Sequence, residues 1–297
     1  MQGALPYAKP ALLINAASGS TDDIREPARR LASEFGLDLR AEYLQPDAIA
    51  DTVDEIFADG CDLFISYGGD GTSRASGERA ARKGVPFVPL PGGTMNMLPK
   101  LLYGDVPWDH ALKQALMSGE RWQPRGEMNG HSFFCGGFVG KLTRVNEARE
   151  ELRDGGVGDA IAKLGDVIAD VEAEDRLIFG PPEAPTAHRA NLINIQMPGM
   201  HERVPTGSGI EIAGAAASGA ADIAGLLAKA ATSDWRHSDN AVSLIVREAS
   251  ITHPDNCPHV LLDGEPIDMD CPLSVTLIDE GVRVLARPLP PGTVRVA

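Results

Sequence analysis

The chain has 297 residues, a length typical of about two domains and ample for a hydrophobic core. Apolar residues make up 43% and charged residues 23%, which is the composition of an ordinary globular protein rather than a disordered or fibrous one. The formal net charge of −15 disfavours non-specific binding to nucleic acid and to anionic membrane surfaces. We therefore expect no nucleic-acid partner and at most peripheral contact with a membrane.

The sequence gives no sign of export or of a membrane-spanning segment. No apolar run approaches the roughly 18 residues of a transmembrane helix. Residues 1–6 lack both a basic flank and an apolar segment, so we expect no signal peptide. The cysteines are widely spaced and form no paired-thiol motif, which favours a reduced, cytoplasmic setting. They are Cys61, Cys135, Cys257 and Cys271.

The first third of the chain alternates between short apolar runs and amphipathic segments. A buried strand is predicted over residues 11–15, a second over 37–43 and a third from residue 63. Helices are predicted between them, one capped by Thr21 or Asp22 and one starting at Asp47. This order predicts parallel strands with helices on both faces, a Rossmann-like sheet that binds ligands at the carboxyl ends of its strands.

Three loops follow predicted strands at that edge of the sheet. The first covers residues 15–20, the second runs from Gly68 to Thr72, and the third covers residues 91–98. The second loop leads into a helix predicted from Thr72 towards Arg82. Residues 85–90, before the third loop, contain two prolines. These make the assignment as a strand uncertain or place the strand at an edge of the sheet.

The second loop, Gly-Gly-Asp-Gly-Thr, has the composition of a phosphate-binding turn. Its glycines permit close approach of a ligand to the backbone, and N–H groups at a helix start favour anions. Asp70 would repel a bare phosphate, so it suits a site that holds Mg²⁺ or moves a proton. The alternative is a glycine-rich turn with a solvated aspartate, but the position directly after a buried strand favours a function.

A helix is predicted from Asp109 to Ser118, and beyond residue 121 the sequence changes character. A hairpin is predicted at Asn129–Gly130 and a glycine-rich strand over residues 133–138. A helical pattern covers residues 144–174. Short strands dominate the rest and favour an antiparallel meander or a sandwich. They are predicted over residues 190–197, 209–212, 241–246, 249–253, 259–262, 273–278 and 282–286.

Five motifs resemble those of the diacylglycerol kinase-like lipid kinases. Residues 15–19 read Asn-Ala-Ala-Ser-Gly where the family has Asn-Pro-x-Ser-Gly, and residues 68–72 keep the family's Gly-Gly-Asp-Gly-Thr intact. Residues 93–97 match Gly-Thr-x-Asn-Asp without the last acid. Residues 263–265 supply Asp-Gly-Glu, and residues 218–223 are a weakened copy of Asp-Gly-x-Leu-Asp-Val. NAD kinases and phosphofructokinases carry a related second loop.

The resemblance implies an α/β nucleotide-binding domain and a β-rich, sandwich-like domain with a cleft between them. The first would span residues 1–124 and be joined by the C-terminal segment 282–297, whose strand returns to it; the second would span residues 125–281. It implies a kinase that transfers the γ-phosphate of ATP, with Mg²⁺, to a hydroxyl group of a diacylglycerol-like or other lipid alcohol.

The resemblance also assigns roles to individual residues. Asp70 would organise Mg·ATP as a metal ligand, and Glu265 would be the catalytic base for the acceptor hydroxyl. Taken alone, residues 263–265 equally fit a plain hairpin turn. The nucleotide-binding residues would be Asn15, Ser18, Gly19, Gly68, Gly69, Asp70, Gly71, Thr72, Gly93, Thr94, Asn96 and Asp263.

Three departures from the family pattern keep alternatives open. Arg74 places a cation where the family has Asn, Met97 removes an acid that could order the third loop, and Ser218 weakens a second metal region. An NAD kinase or another small-molecule kinase is the enzyme alternative, and a catalytically degenerate nucleotide-binding protein is the other. The sequence identifies neither the acceptor nor the oligomeric state, and it is compatible with a homodimer.

Overall fold

The computed structural model describes residues 5–15, 23–43, 49–140, 177–200, 208–216, 241–253 and 259–288. The chain divides into two compact units. Unit 1 comprises residues 1–125, 132–135 and 278–293, and unit 2 comprises residues 126–131, 136–277 and 294–297. The domain boundaries predicted from the sequence stay a prediction.

The described elements alternate between strand and helix up to residue 103, a second helix follows, and the described elements beyond residue 116 are strands. The first group is β1 (Pro10–Ile14), α1 (Arg25–Ser33), β2 (Arg40–Tyr43), α2 (Ile49–Ala58), β3 (Leu63–Gly68), α3 (Asp70–Lys83), β4 (Phe87–Pro91), α4 (Met97–Tyr103) and α5 (Trp108–Leu116). The second group begins with β5 (Glu120–Met128), β6 (His131–Phe133), β7 (Gly136–Val139), β8 (Leu177–Gly180), β9 (His188–Ala190) and β10 (Leu192–Gln196). It ends with β11 (Ile210–Ala215), β12 (Ala241–Val246), β13 (Glu248–Thr252), β14 (Val260–Leu262), β15 (Glu265–Ile267) and β16 (Leu273–Leu285).

Unit 1 is built on the predicted parallel sheet. The strands pair in the order β2-β1-β3-β4, and the end of β16 adds to β4, again in parallel, with Val284 opposite Phe87. Every residue of β1 and β3 is buried, as expected for strands covered on both faces. The rings of Phe64 and Phe87 stack at a centroid distance of 6.1 Å. Burying each such side chain stabilises the fold by about 1.5–3 kcal/mol.

Two predictions about this sheet are wrong in detail. Helix α3 begins at Asp70, two residues before the predicted start, because extended Gly69 caps it and its carbonyl accepts the first helical bond from Ser73 N at 3.0 Å. Strand β4 is interior, not an edge strand, since β3 and β16 both pair with it. Its prolines are tolerated because β16 pairs with β4 at Phe87, before Pro89 and Pro91.

Unit 2 is antiparallel, in keeping with the predicted β-rich half. A six-stranded sheet has the order β12-β11-β10-β7-β14-β15, and β9, β8, β13 and the start of β16 form a second antiparallel layer. The layers contact each other at Gly214 of β11, where an added Cβ would lie 2.4 Å from the ring of Phe179 on β8. This contact supports a sandwich-like packing within the unit.

The remaining sequence predictions concern a hairpin, two late strands, several helices and the absence of a membrane span. The Asn129–Gly130 hairpin is confirmed: both residues have positive φ, 46° and 86°, as a type I′ turn requires. The two strands predicted over 273–278 and 282–286 are one strand, β16. The predicted caps Thr21 and Asp22, the helix start at Asp47 and the helical pattern over 144–174 lie outside the described residues. Within the described part of the chain, no helix is long and apolar enough to cross a membrane.

Candidate functional site

The loop between β3 and α3 begins with a glycine at a position where a side chain would not fit. A Cβ added at Gly68 would lie 2.6 Å from the Thr72 side chain, so no larger residue fits at the end of β3. Thr72 is buried, and its Oγ1 accepts a hydrogen bond from Asn15 Nδ2 at 2.8 Å. The first predicted loop is thus linked to the second through Asn15. Ser18 and Gly19 lie outside the described residues.

The third loop lies against the second, backbone to backbone. Gly92 N donates to Gly68 O at 2.9 Å. A Cβ added at Gly93 would lie 2.6 Å from Gly69 Cα, and one at Gly92 would lie 2.8 Å from Gly68 N. Glycine is therefore required at positions 92 and 93, because the backbone of the second loop approaches too closely for a side chain.

Asn96 closes the third loop on itself. Its Oδ1 accepts from Gly93 N and its Nδ2 donates to Gly93 O, both at 2.8 Å. Asn96 has a left-handed backbone with φ 50° and ψ 47°, which asparagine adopts more readily than most residues. The side chain predicted to bind nucleotide therefore shapes the loop.

Asp70 ties the second loop to the third. Its Oδ2 accepts from Asn96 N at 3.0 Å, and its Oδ1 accepts from Met97 N at 2.6 Å. These two N–H groups begin α4, where no intrahelical acceptor exists for them. Met97 lacks the acid that could order this loop in the family. Asp70 orders the loop instead, through the N–H group of Met97.

Burial raises the pKa of Asp70, and the hydrogen bonds from Met97 and Asn96 and the charge of Lys100 oppose this rise without cancelling it. The described residues contain no group of three or more His, Cys, Asp or Glu side chains that could hold a metal by themselves. Mg²⁺ is commonly held by one or two carboxylates together with phosphate oxygens and water. Asp70, whose oxygens each keep a lone pair, fits a Mg²⁺ that is shared with a nucleotide.

The remaining unit 1 candidates differ in exposure. Thr94 is exposed at the tip of the third loop, and the neighbouring Met95 is 57% exposed. Arg74 is largely buried on α3, and its guanidinium lies 3.7 Å from the Glu78 carboxylate, one helical turn away. The cation at this departure from the family pattern therefore has a partner inside the helix.

The Asp-Gly-Glu motif of unit 2 forms the tip of the β14–β15 hairpin. Asp263 and Gly264 have φ of 49° and 87°, and Leu262 pairs with Glu265 across the turn. Asp263 is buried; its Oδ1 accepts from Gly136 N at 2.9 Å, and its own N–H donates to Gly136 O at 2.8 Å. Glu265 is exposed. The plain hairpin turn is thus the local structure, and it leaves a carboxylate accessible at its end.

Within unit 1 the structure brings together Asn15, Asp70, Thr72, Gly93 and Asn96, as the three-loop prediction required. Sequence reasoning missed the N–H group of Met97 as a partner of Asp70. It also missed Lys100, whose charge acts on Asp70. A signal was available for Lys100, because a helix starting after the third loop places residue 100 one turn from residue 96.

Comparisons with known proteins agree with this geometry. Residues 9–122 match the sequence model of the diacylglycerol kinase catalytic domain. No curated protein sequence gives a significant match. The resemblance to this family that the motifs indicated is therefore confirmed for the part of the chain that contains the three loops.

Solved structures show the fold over nearly the whole chain. A candidate diacylglycerol kinase from Bacillus anthracis str. Sterne has a TM-score of 0.73 at 19% identity and covers 96% of this chain and 99% of its own. A second such structure from the same organism has a TM-score of 0.71 at 18% identity, with the same coverage. A diacylglycerol kinase from this organism has a TM-score of 0.68 at 16% identity, covering 96% and 98%.

Proposed function

We propose that this chain, whose residues 9–122 match the sequence model of the diacylglycerol kinase catalytic domain, is an ATP-dependent kinase acting on a lipid alcohol. It would transfer the γ-phosphate of ATP to a hydroxyl group of a diacylglycerol-like acceptor. The observation that carries the proposal is the linkage of three loops through Asn15, Asp70 and Asn96 at the carboxyl edge of a parallel sheet. Phosphoryl transfer depends mainly on such fixed positioning and on neutralising charge.

The phosphate chain of ATP would bind at the start of α3. Gly71 and Thr72 lie in the first turn of this helix, so their N–H groups have no intrahelical acceptor. The Thr72 hydroxyl accepts from Asn15 and keeps its own proton to donate to a phosphate oxygen. Mg²⁺ bound with the nucleotide would neutralise phosphate charge, and Asp70 is the carboxylate in this loop that would help to hold it.

The acceptor hydroxyl would lose its proton to Glu265. In the transfer, the hydroxyl oxygen forms a bond to the γ-phosphorus while the bond from that phosphorus to the bridging oxygen of ADP breaks. The hydroxyl proton would pass to the Glu265 carboxylate, which is exposed at the end of the hairpin. Asp263 would keep the hairpin in place through its two hydrogen bonds with Gly136.

The test is transfer of labelled γ-phosphate from Mg·ATP, with a total lipid extract, NAD and a pool of soluble alcohols offered separately. Glu265→Gln and Asp70→Asn are compared with the parent and with Asp268→Asn, an exposed acid near the hairpin. Label in the organic phase that both site variants lose and Asp268→Asn keeps would support the proposal. Label only in NAD or soluble alcohols would replace the lipid acceptor, and ATP binding without any transfer would favour a degenerate nucleotide-binding protein.

A further inference from the structure

We infer that Lys100 binds the phosphate chain of the nucleotide, a role that rests on the proposed function and that no family motif used above assigns to it. ATP carries about four negative charges at neutral pH, and the loop that would receive it already contains the carboxylate of Asp70. A site of this kind needs positive charge close to the phosphates.

Lys100 lies on α4, one helical turn after the third loop. Lys100 N donates to Asn96 O at 3.0 Å, so Lys100 lies one helical turn after the residue that closes the third loop. Side chains on an α-helix tilt towards its N-terminus. The stem of Lys100 therefore starts in the direction of Asn96 and Met97, whose N–H groups hold Asp70.

The Lys100 ammonium is available to a ligand. It forms an ion pair with Asp105 at a distance of 3.6 Å, and the Asp105 side chain is 86% exposed. A pair this long and this exposed contributes little, so a phosphate can replace it. The guanidinium of Arg74 is less accessible to a ligand, because the Arg74 side chain is only 13% exposed and lies beside the equally buried Glu78.

The chemistry of lysine suits this role. Its ammonium group is a point charge on a flexible four-carbon stem, which can follow a phosphate as it moves during transfer. When ATP binds, we expect Lys100 to leave Asp105 and donate to phosphate oxygens, with Asp70 retained as the link between the loops.

The experiment measures binding to the full chain by calorimetry, with Mg·ATP, inorganic tripolyphosphate and adenosine as probes. Lys100→Gln is expected to weaken ATP and tripolyphosphate binding about tenfold or more and to leave adenosine unchanged, since a charge-assisted bond to phosphate is lost. Lys100→Arg should restore most of the binding. Lys113→Gln, which removes an exposed cation on α5, should have no effect.

A second control separates phosphate binding from a structural role of the ion pair. Asp105→Asn removes the same pair but keeps the lysine, so ATP affinity should stay equal or rise. An equal loss in Asp105→Asn and Lys100→Gln, or ATP binding to Lys100→Gln within twofold of the parent, would overturn the inference while leaving the kinase proposal intact. Failure of the parent to bind Mg·ATP would overturn both.

Discussion

The loops of unit 1 and the hairpin of unit 2 hold their candidate residues in different ways. In unit 1, Asp70 bonds to N–H groups 26 and 27 residues away, and Asn15 bonds to Thr72, 57 residues away. In unit 2, Glu265 follows a two-residue turn, and the turn's geometry places it. The comparison teaches that a closely packed loop is fixed by long-range hydrogen bonds, while an accessible carboxylate can be placed by a local turn.

Glu265→Gln should have the largest effect on activity and almost none on folding. The side chain is exposed at the hairpin end, so its replacement removes no buried contact. Loss of a general base lowers kcat by about 10²–10⁴-fold. Steady-state kinetics with γ-labelled ATP, together with a thermal melt, measures both quantities. A variant with normal kcat would remove Glu265 from the mechanism and leave the hairpin as a structural turn.

Gly93→Ala tests the close approach of the loops in unit 1. The added Cβ would lie 2.6 Å from Gly69 Cα, and backbone atoms can yield only by moving a loop. Overpacking of this kind costs about 1–3 kcal/mol, and we expect ATP binding to be lost as well. Gly119→Ala is the matched control, because an added Cβ there meets nothing within 4 Å. Equal urea denaturation midpoints for the two variants would contradict the backbone contact.

Asn96→Ala sharpens the same comparison with a smaller change. It removes two hydrogen bonds to Gly93 and places alanine in a left-handed conformation, together about 1–2 kcal/mol. Asn96→Gly removes the bonds but relieves the backbone, so it should be less destabilised. If Asn96→Ala and Asn96→Gly are equally stable in chemical denaturation, the left-handed backbone at residue 96 is not a source of strain.

The pH dependence of Asp70 should give the smallest effect. Because burial raises its pKa above the ordinary value of 3.8, the folded chain takes up the proton at a higher pH than the unfolded chain. The parent should therefore gain stability relative to Asp70→Asn as the pH falls towards 3.8, and lose that gain as the pH rises through the folded pKa. Urea denaturation of both proteins between pH 7 and 4 measures the difference. A gain that appears on raising the pH instead would show that hydrogen bonding outweighs burial.

The sequence predicted what local patterns control. Alternating strands and helices indicated the parallel sheet, the glycine loops indicated its functional edge, and Asn129–Gly130 indicated a hairpin. It did not reveal that Asp70 contacts Asn96 and Met97, since such a contact depends on which strands are neighbours. The same reason explains the error at β4, whose prolines suggested an edge although β16 pairs with it from almost 200 residues further along the chain.

That late strand also bears on how the protein is made. Unit 1 combines its first 125 residues with a segment that is synthesised much later. Val284 pairs with Phe87, Ala286 N donates to Gly119 O at 3.3 Å, and Leu285 O accepts from buried Tyr103 at 3.1 Å. Until residue 286 has left the exit tunnel, β4 keeps an open edge and Tyr103 lacks this acceptor. Unit 1 should thus complete its fold only after residue 286 has emerged, although its three loops emerge much earlier.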